Sequence, residues 1–204
     1  MDSTHATGLS VAIFGGEAIA PHLDDVARLR MEVFRDWPYL YDGDMAYERD
    51  YLAAYARSPR SLFVLVFEDE RVVGASTGLP LLDDTPAFRA PFAGGDVDAA
   101  RVFYFGESVL LPECRGRGIG HAFFDAREVH ARRLGYRWTA FCAVDRDDDD
   151  PRRPAGHRGN EAFWRKRGYR RQPEMTMQLP WEEPGQGEVI HPLTFWLRDW
   201  EEPA

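Results

Sequence analysis

Apolar and polar positions follow two periods along this chain, and the switches between them mark most of its elements. Leu9 to Phe14 and Ser61 to Phe67 are short β-branched and aromatic runs bounded by turn residues, and each predicts a strand. Arg71 to Leu79 follows across the polar turn Glu68-Asp69-Glu70, so 61–79 reads as a hairpin. Ala20 to Phe34 carries Leu23, Val26, Ala27, Leu29, Met31, Val33 and Phe34 at roughly helical spacing, and Ala46 to Arg57 predicts a second helix, stopped by Ser58-Pro59. Val102 to Leu111 (VFYFGESVLL) predicts a strand. Past a glycine-rich turn, Ile119, Ala122, Phe123, Ala126, Val129, His130 and Leu134 line one face of a helix. Gly135 is placed to end that helix at positive φ. Tyr136 to Val144 predicts another strand, and Asn160 to Arg167 a short helix with Asn160 as N-cap. Met175–Leu179 and Val189–Leu197 predict the last two strands, joined by PWEEPGQGE.

Residues 83–101, rich in Pro, Gly and Asp, interrupt this order as a loop insertion with room for a short helix near Phe88 and Phe92. The chain has 204 residues, which suits one domain over 9–197 with terminal extensions at 1–8 and 198–204. A net charge of −9 argues against a nucleic-acid partner. No apolar run has membrane-spanning length, and the N-terminus lacks the basic start and apolar stretch of a secretory signal. Cys114 and Cys142 are the only cysteines, so the expectation is a reducing cytoplasm without a disulfide framework. Cys114 adjoins Arg115, which would lower its pKa if it faced the loop, although an incidental thiol reads as well. The acidic run Asp147 to Asp150 reads as a solvated loop rather than a metal site.

The stretch 102–135 carries the candidate chemistry. Gly116, Gly118 and Gly120 alternate with Arg115, Arg117 and Ile119 between a strand and a helix N-terminus. Glycine permits positive φ and close approach of a ligand. The first turn of a helix leaves amide N–H groups unpaired, and the helix dipole and two arginines add positive charge. The combination is a cradle for phosphate.

That block, Arg115-Gly116-Arg117-Gly118-Ile119-Gly120 with Pro112 three residues ahead, resembles the signature with which GNAT acyltransferases bind the pyrophosphate of acetyl-CoA. The order of elements is similar to that family's over residues 9–197. The resemblance implies an α/β fold with a mixed, strongly twisted sheet, flanking helices, and a splayed central pair of strands, 102–111 and 136–144. It implies acetyl-CoA as co-substrate, its pantetheine pairing with backbone at Ser108, Val109 and Leu110, with Asn160 nearby. Asn160-x-x-Phe163-Trp164-x-x-x-Gly168-Tyr169 resembles a family segment whose tyrosine reprotonates the CoA thiolate. Trp164 stands at that position, and an indole N–H cannot serve as the acid. Tyr104, Tyr169, His157 or solvent is left to replace it.

The activity implied is transfer of an acetyl group to a primary amine, expected to belong to a small molecule, by direct attack in a ternary complex. An amine protonated at neutral pH needs a base. Glu107 is a carboxylate in an apolar strand just upstream of the cradle, where desolvation raises its pKa toward that of a working base. It reads equally as a structural partner of an arginine or of backbone amides. By the same resemblance the acceptor site is lined by the loop between the first two helices, with Trp37, Tyr39, Tyr41, Asp42 and Asp44, and by the loop that begins at Asp145. Aromatic faces beside carboxylates favour a cation, and an ordinary core edge reads as well. A homodimer is compatible with all of this. Two further readings compete: a non-catalytic acyl-CoA-binding regulatory module that lost the acid, and a dinucleotide oxidoreductase. The second is disfavoured by Gly-x-Gly-x-Gly spacing and by too little chain beyond it to finish a doubly wound sheet.

Overall fold

The structure is a computed structural model that describes residues 8–201. Of the expected extensions 1–8 and 198–204, residues 1–7 and 202–204 lie outside the described residues, and the last strand runs to Asp199, into the second of them. The strands are β1 (Leu9–Phe14), β2 (Leu62–Glu68), β3 (Arg71–Pro80), β4 (Val102–Tyr104), β5 (Ser108–Leu110), β6 (Trp138–Val144), β7 (Arg170–Glu183) and β8 (Gly187–Asp199). The helices are α1 (Leu23–Phe34), α2 (Met45–Arg57), α3 (Pro86–Arg89), α4 (Ile119–Arg133) and α5 (Glu161–Lys166). They form one mixed sheet in the order β1-β2-β3-β4-β6-β8-β7, with β5 also paired to β3. Among the described residues β4 and β6 run parallel and the other pairs are antiparallel.

The long strand expected over 102–111 is broken in two. β4 pairs with both β3 and β6, whereas β5 pairs with β3 alone. Gly106 sits in the break because a β-carbon there would lie 2.6 Å from Thr77 Oγ1 and 2.7 Å from the Tyr55 hydroxyl. The last two strands are far longer than their apolar cores indicated. The turn at Gly185 and Gly187 is tight enough for pairing to start at Glu183↔Gly187, and a bulge between Gln172 and Thr176 absorbs the register change. The first helix divides into a 3-10 stretch over Gly16–His22 and α1 proper. The 83–101 segment holds α3 and short 3-10 turns. Its Phe88 packs on Tyr104 at 5.2 Å, and its buried Phe92 meets Phe195 edge-on at 5.2 Å.

Helices cover both faces. α1 and α2 pack together on one, α2 capped by Asp44, whose carboxylate accepts from the Ala46 and Tyr47 amides at 3.0 and 2.9 Å. α4 lies on the other face, and Gly135 ends it at φ 81°. The buried face of α4 differs from the one its apolar residues marked. Ile119, Phe123, Phe124, Arg127, Glu128 and Ala131 are buried, while Val129 is 45% and Leu134 41% exposed. Arg127 and Glu128 belong to the inward stripe by position, and their polarity hid it. Among the described residues, no helix is long and apolar enough to cross a membrane.

Candidate active site

The centre of the site is the point where β4 and β6 part. Phe105 N–H donates to Ala140 O at 2.8 Å, which extends the β4–β6 ladder by one bond. Beyond it β5 follows β3 while β6 follows β8, and a wedge opens between them. Leu111 N–H donates to Val73 O at 3.0 Å and Thr77 N–H to Glu107 O at 3.1 Å, so odd-numbered residues address β3. In an antiparallel ladder the intervening residues point their N–H and C=O the other way. Ser108 and Leu110 therefore present theirs to the wedge. Val109, expected beside them, turns its backbone to β3 and its buried side chain to the core. The Leu110 carbonyl accepts from Arg115 Nε at 3.2 Å, which ties the glycine turn to the rim of the wedge.

The glycine turn has the geometry that the expected anion cradle needs. Gly116 and Gly118 have φ of 76° and 81°, the left-handed region that other residues enter at a cost. Open space lies where their β-carbons would be. Turn hydrogen bonding runs through Arg115 N–H, to Pro112 O, and resumes at His121 N–H, to Gly118 O. Among the described residues, the amides in between find no backbone partner in the turn. Arg115, Arg117 and Gly120 are exposed, and Ile119 is buried and anchors α4. Free amides, positive charge and a free strand edge fit a pyrophosphate with a pantetheine arm, so the residues suit acetyl-CoA. Cys114 follows the incidental-thiol reading rather than the lowered-pKa one. It is buried, and desolvation, with Glu68 and Glu113 nearby, pushes its thiol up.

Glu107 lies in the break between β4 and β5, 5% exposed. Its Oε2 is 2.6 Å from Arg30 Nη1 and 3.3 Å from the Tyr51 hydroxyl, while its Oε1 has no hydrogen-bond partner. Arg30 Nε also bonds Glu48 Oε2 at 2.5 Å, so one buried guanidinium serves two buried carboxylates. Burial raises the Glu107 pKa, and the Arg30 charge and the Thr77 hydroxyl only partly oppose it. The structure thus gives Glu107 the arginine partner that one reading foresaw, and leaves its second oxygen free for the other.

Tyr104 is on the same side of the sheet. Its hydroxyl is 3.1 Å from Cys142 Sγ, and burial, with Cys142 and Asp84 nearby, holds its phenol well above its ordinary pKa. The other candidate acids are placed elsewhere. The Tyr169 hydroxyl is buried against Thr139 at 2.9 Å and Glu128 at 3.2 Å on the α4 side. Trp164 packs against Phe141 and Trp196, and His157 against Trp37. Asn160 precedes α5, but its side chain makes no capping bond. It is exposed, and only its carbonyl is used, by Trp164 N–H at 2.9 Å.

The loop between α1 and α2 closes the α1–α2 side. Tyr39 packs on Phe34 and Trp181, and its phenol is pushed up by burial and by the Cys142 thiol. Tyr41 is pushed up by burial and by Glu48 beside it. Trp37 is half-buried beneath Arg146. Arg146 clasps the loop, donating to Pro38 O and Tyr39 O, both at 2.7 Å, and pairing with Glu183 Oε1 at 2.6 Å. Arg152 joins the same carboxylate at 2.5 Å. Two of the expected acceptor carboxylates are committed away from this wall. Asp42 pairs with Arg35 at the surface, and Asp145 with Arg171 and Thr194. Arginines pair within the acidic run as well, Arg153 with Asp148 and Arg152 with Asp150.

Arg30, Glu48, Tyr51, Arg127, Arg146 and Glu183 escaped the sequence reading. Three left a signal there: Arg30 stands four residues after Val26, Glu48 four before Leu52, and Arg127 four after Phe123, each a charge on an apolar stripe.

Known proteins share this architecture. The structure superposes on an N-acetyltransferase from Staphylococcus aureus Mu50 with a TM-score of 0.58 at 13% identity, covering 93% of this chain and 98% of that one. It superposes on the ribosomal-protein-alanine N-acetyltransferase of Brucella melitensis with a TM-score of 0.57 at 14% identity, covering 92% and 99%. The PaiA N-acetyltransferase of Thermoplasma acidophilum, solved in complex with coenzyme A, gives 0.56 at 13% identity, covering 94% and 99%. At such identities the likeness is one of fold. No protein of curated function matches the chain. The sequence profile of the acetyltransferase (GNAT) family matches residues 24–169, a span from α1 through the cradle to Tyr169, and the chain therefore belongs to the GNAT acetyltransferase family.

Proposed function

We propose that this acetyltransferase passes the acetyl group of acetyl-CoA to the primary amine of a small molecule by direct attack in a ternary complex. The observation that carries the reading is Glu107 Oε1: buried, unpartnered, and one peptide away from the Ser108 amide that faces the wedge. A bound acetyl-CoA supplies the activated thioester. The chain's residues supply the rest. One buried arginine, Arg30, faces two buried carboxylates, Glu48 and Glu107, in an interior walled by Tyr39, Tyr41 and Tyr51, and this excess of acidic over basic groups beside aromatic faces favours a cationic acceptor. Glu107 Oε1 takes the ammonium proton, and burial makes it a better base than an exposed glutamate. The Ser108 N–H stabilises the negative charge that develops on the carbonyl oxygen. Tyr104 holds the proton for the departing thiolate, which at a thiol pKa of about 8.5 is already a fair leaving group.

Release of free thiol from acetyl-CoA tests the reading against two panels, small primary amines and peptides with free N-termini or lysines. Turnover with a small amine supports it, and turnover with peptides alone replaces the acceptor class. Acetyl-CoA binding without turnover on either panel favours the regulatory-module alternative, for which Trp164 in the place of the family tyrosine is the specific feature.

A further inference from the structure

Arg127 is the largest fully buried side chain among the described residues, 1% exposed, and it has no carboxylate within ion-pair distance. A charge so placed must be compensated by dipoles. Arg127 Nε donates to Phe123 O at 3.2 Å, Nη1 to Thr77 O at 3.3 Å and to Glu107 O at 3.1 Å, and Nη2 to Ser108 Oγ at 2.9 Å. The guanidinium lies 4.2 Å over the Phe105 ring and 4.8 Å over Phe124. It thus spans the break between β4 and β5 from the α4 side. Glu107 is gripped twice, by Arg30 through its carboxylate and by Arg127 through its carbonyl. Burial lowers the Arg127 pKa to about 10, well above neutrality, so the charge persists.

The carbonyl that Arg127 bonds belongs to the Glu107–Ser108 peptide. The N–H of that peptide faces the wedge and has no partner among the described residues. A cation on the oxygen of an amide draws electron density from its nitrogen and makes the N–H a stronger donor, because hydrogen bonds in series polarise one another. We infer that Arg127 is a positioning residue for acetyl transfer: it fixes the break that opens the wedge, and through the Glu107–Ser108 peptide it strengthens the amide that polarises the thioester carbonyl. The inference rests on the acetyl-transfer reading above. It also accounts for an arginine on the apolar stripe of α4, where packing alone favours leucine or methionine.

The test needs no acceptor. Carbon-13 acetyl-CoA bound to the full chain is followed by isotope-edited infrared spectroscopy, and the affinities of acetyl-CoA and of CoA are measured by calorimetry. In the parent protein the thioester carbonyl band should lie below that of the free molecule. Arg127→Gln keeps hydrogen-bond donors but loses the charge, and should move the band back toward the free position while CoA affinity stays within about threefold, since the cradle is untouched. Arg127→Lys restores a charge and should recover part of the shift. With a small-amine acceptor, kcat should fall in the glutamine variant by less than the roughly 10²–10³-fold that loss of a whole oxyanion donor costs, with little change in acetyl-CoA KM. An unshifted band in the parent, the same band in Arg127→Gln, or equal loss of CoA and acetyl-CoA binding overturns the inference. So does failure of both the glutamine and the lysine variants to fold, which makes Arg127 part of the fold alone. A parent protein that binds no acetyl-CoA overturns the proposed function instead.

Discussion

Arg30 Nη1 lies 2.6 Å from Glu107 Oε2, joining the first helix to the break in the central strand with both side chains buried. The same guanidinium holds Glu48, so its loss strands two carboxylates. Removing one partner of a buried ion pair costs about 3–5 kcal/mol. Arg30→Met should therefore cost at least that in chemical denaturation. Glu107→Gln should cost far less, because it leaves the Arg30–Glu48 pair neutral and intact. A stability loss in Glu107→Gln equal to that in Arg30→Met would mean that the carboxylate is held purely for the fold.

The same glutamine variant addresses the chemistry. Its kcat should fall by about 10²–10⁴-fold, the usual contribution of a general base, with acetyl-CoA affinity preserved. The acidic limb of the rate-against-pH profile should disappear, since that limb reports the base's own titration. In the parent that limb should lie above the range of an exposed glutamate, because burial raises the Glu107 pKa. A variant that keeps its rate and its limb would remove Glu107 from the reaction.

Asp84 gives a stability signature that turnover does not share. Its carboxylate is buried beside the Tyr55 hydroxyl at 3.1 Å, and desolvation raises its pKa from 3.8 to about 6. A group with a raised folded pKa lends its full stability below its unfolded pKa and loses it as pH rises through the folded one. Stability from this site should thus decline between about pH 4 and pH 6, by an amount on the order of 1–3 kcal/mol. Asp84→Asn should flatten that slope and match or exceed the parent's stability at pH 7. Urea melts at pH 4 and pH 7 decide it; an asparagine variant that keeps the full slope assigns the titration elsewhere.

Much of the fold and the shape of the glycine turn were legible because they depend on local rules: a hairpin polar turn, Gly116 and Gly118 at positive φ, apolar period. The break at Gly106 was not, since the groups that crowd that position, Tyr55 on α2 and Thr77 on β3, are distant in the chain. The full length of the β7–β8 ribbon was hidden because its far half carries Glu183 and His191 on the buried face and Pro180 and Pro192 on the exposed one, residues whose composition reads as loop rather than strand. At the site, Glu107 stood out as a charge in a strand. Its partners Arg30 and Arg127 lie 77 and 20 residues away, and no local pattern ties them to it. The misplaced face of α4 has the same origin: counting apolar residues passes over a stripe whose members include Arg127 and Glu128.

Gly118 tests the cradle. It has φ 81° at the N-terminus of α4, with open space where a side chain would project. Gly118→Asp places a carboxylate among the amides expected to hold the pyrophosphate. Acetyl-CoA binding by calorimetry should drop by at least about 100-fold, the arithmetic of losing roughly 3 kcal/mol. The ligand-induced rise in melting temperature should vanish with it. Binding at the parent's affinity would relocate the pyrophosphate.

The acid is the last prediction. Two buried tyrosines differ in what their hydroxyls are given to do. Tyr169 is committed to Thr139 and Glu128 on the α4 side, so Tyr169→Phe should cost about 1 kcal/mol in stability and leave turnover within a few-fold. Tyr104 meets only Cys142, a weak partner, on the side where Glu107 and Tyr51 gather. Its raised pKa keeps the phenol protonated throughout the working range and ready to donate. Tyr104→Phe should lower kcat by roughly 10²-fold, with unchanged acetyl-CoA affinity and loss of the basic limb of the pH profile. Trp164→Phe, in the family's usual acid position, should leave kcat within a few-fold, since the indole is packed between Phe141 and Trp196. If Tyr104→Phe keeps the parent rate with good and poor leaving thiols alike, the thiolate departs without an acid from the chain, and the Tyr104–Cys142 contact is a core contact only.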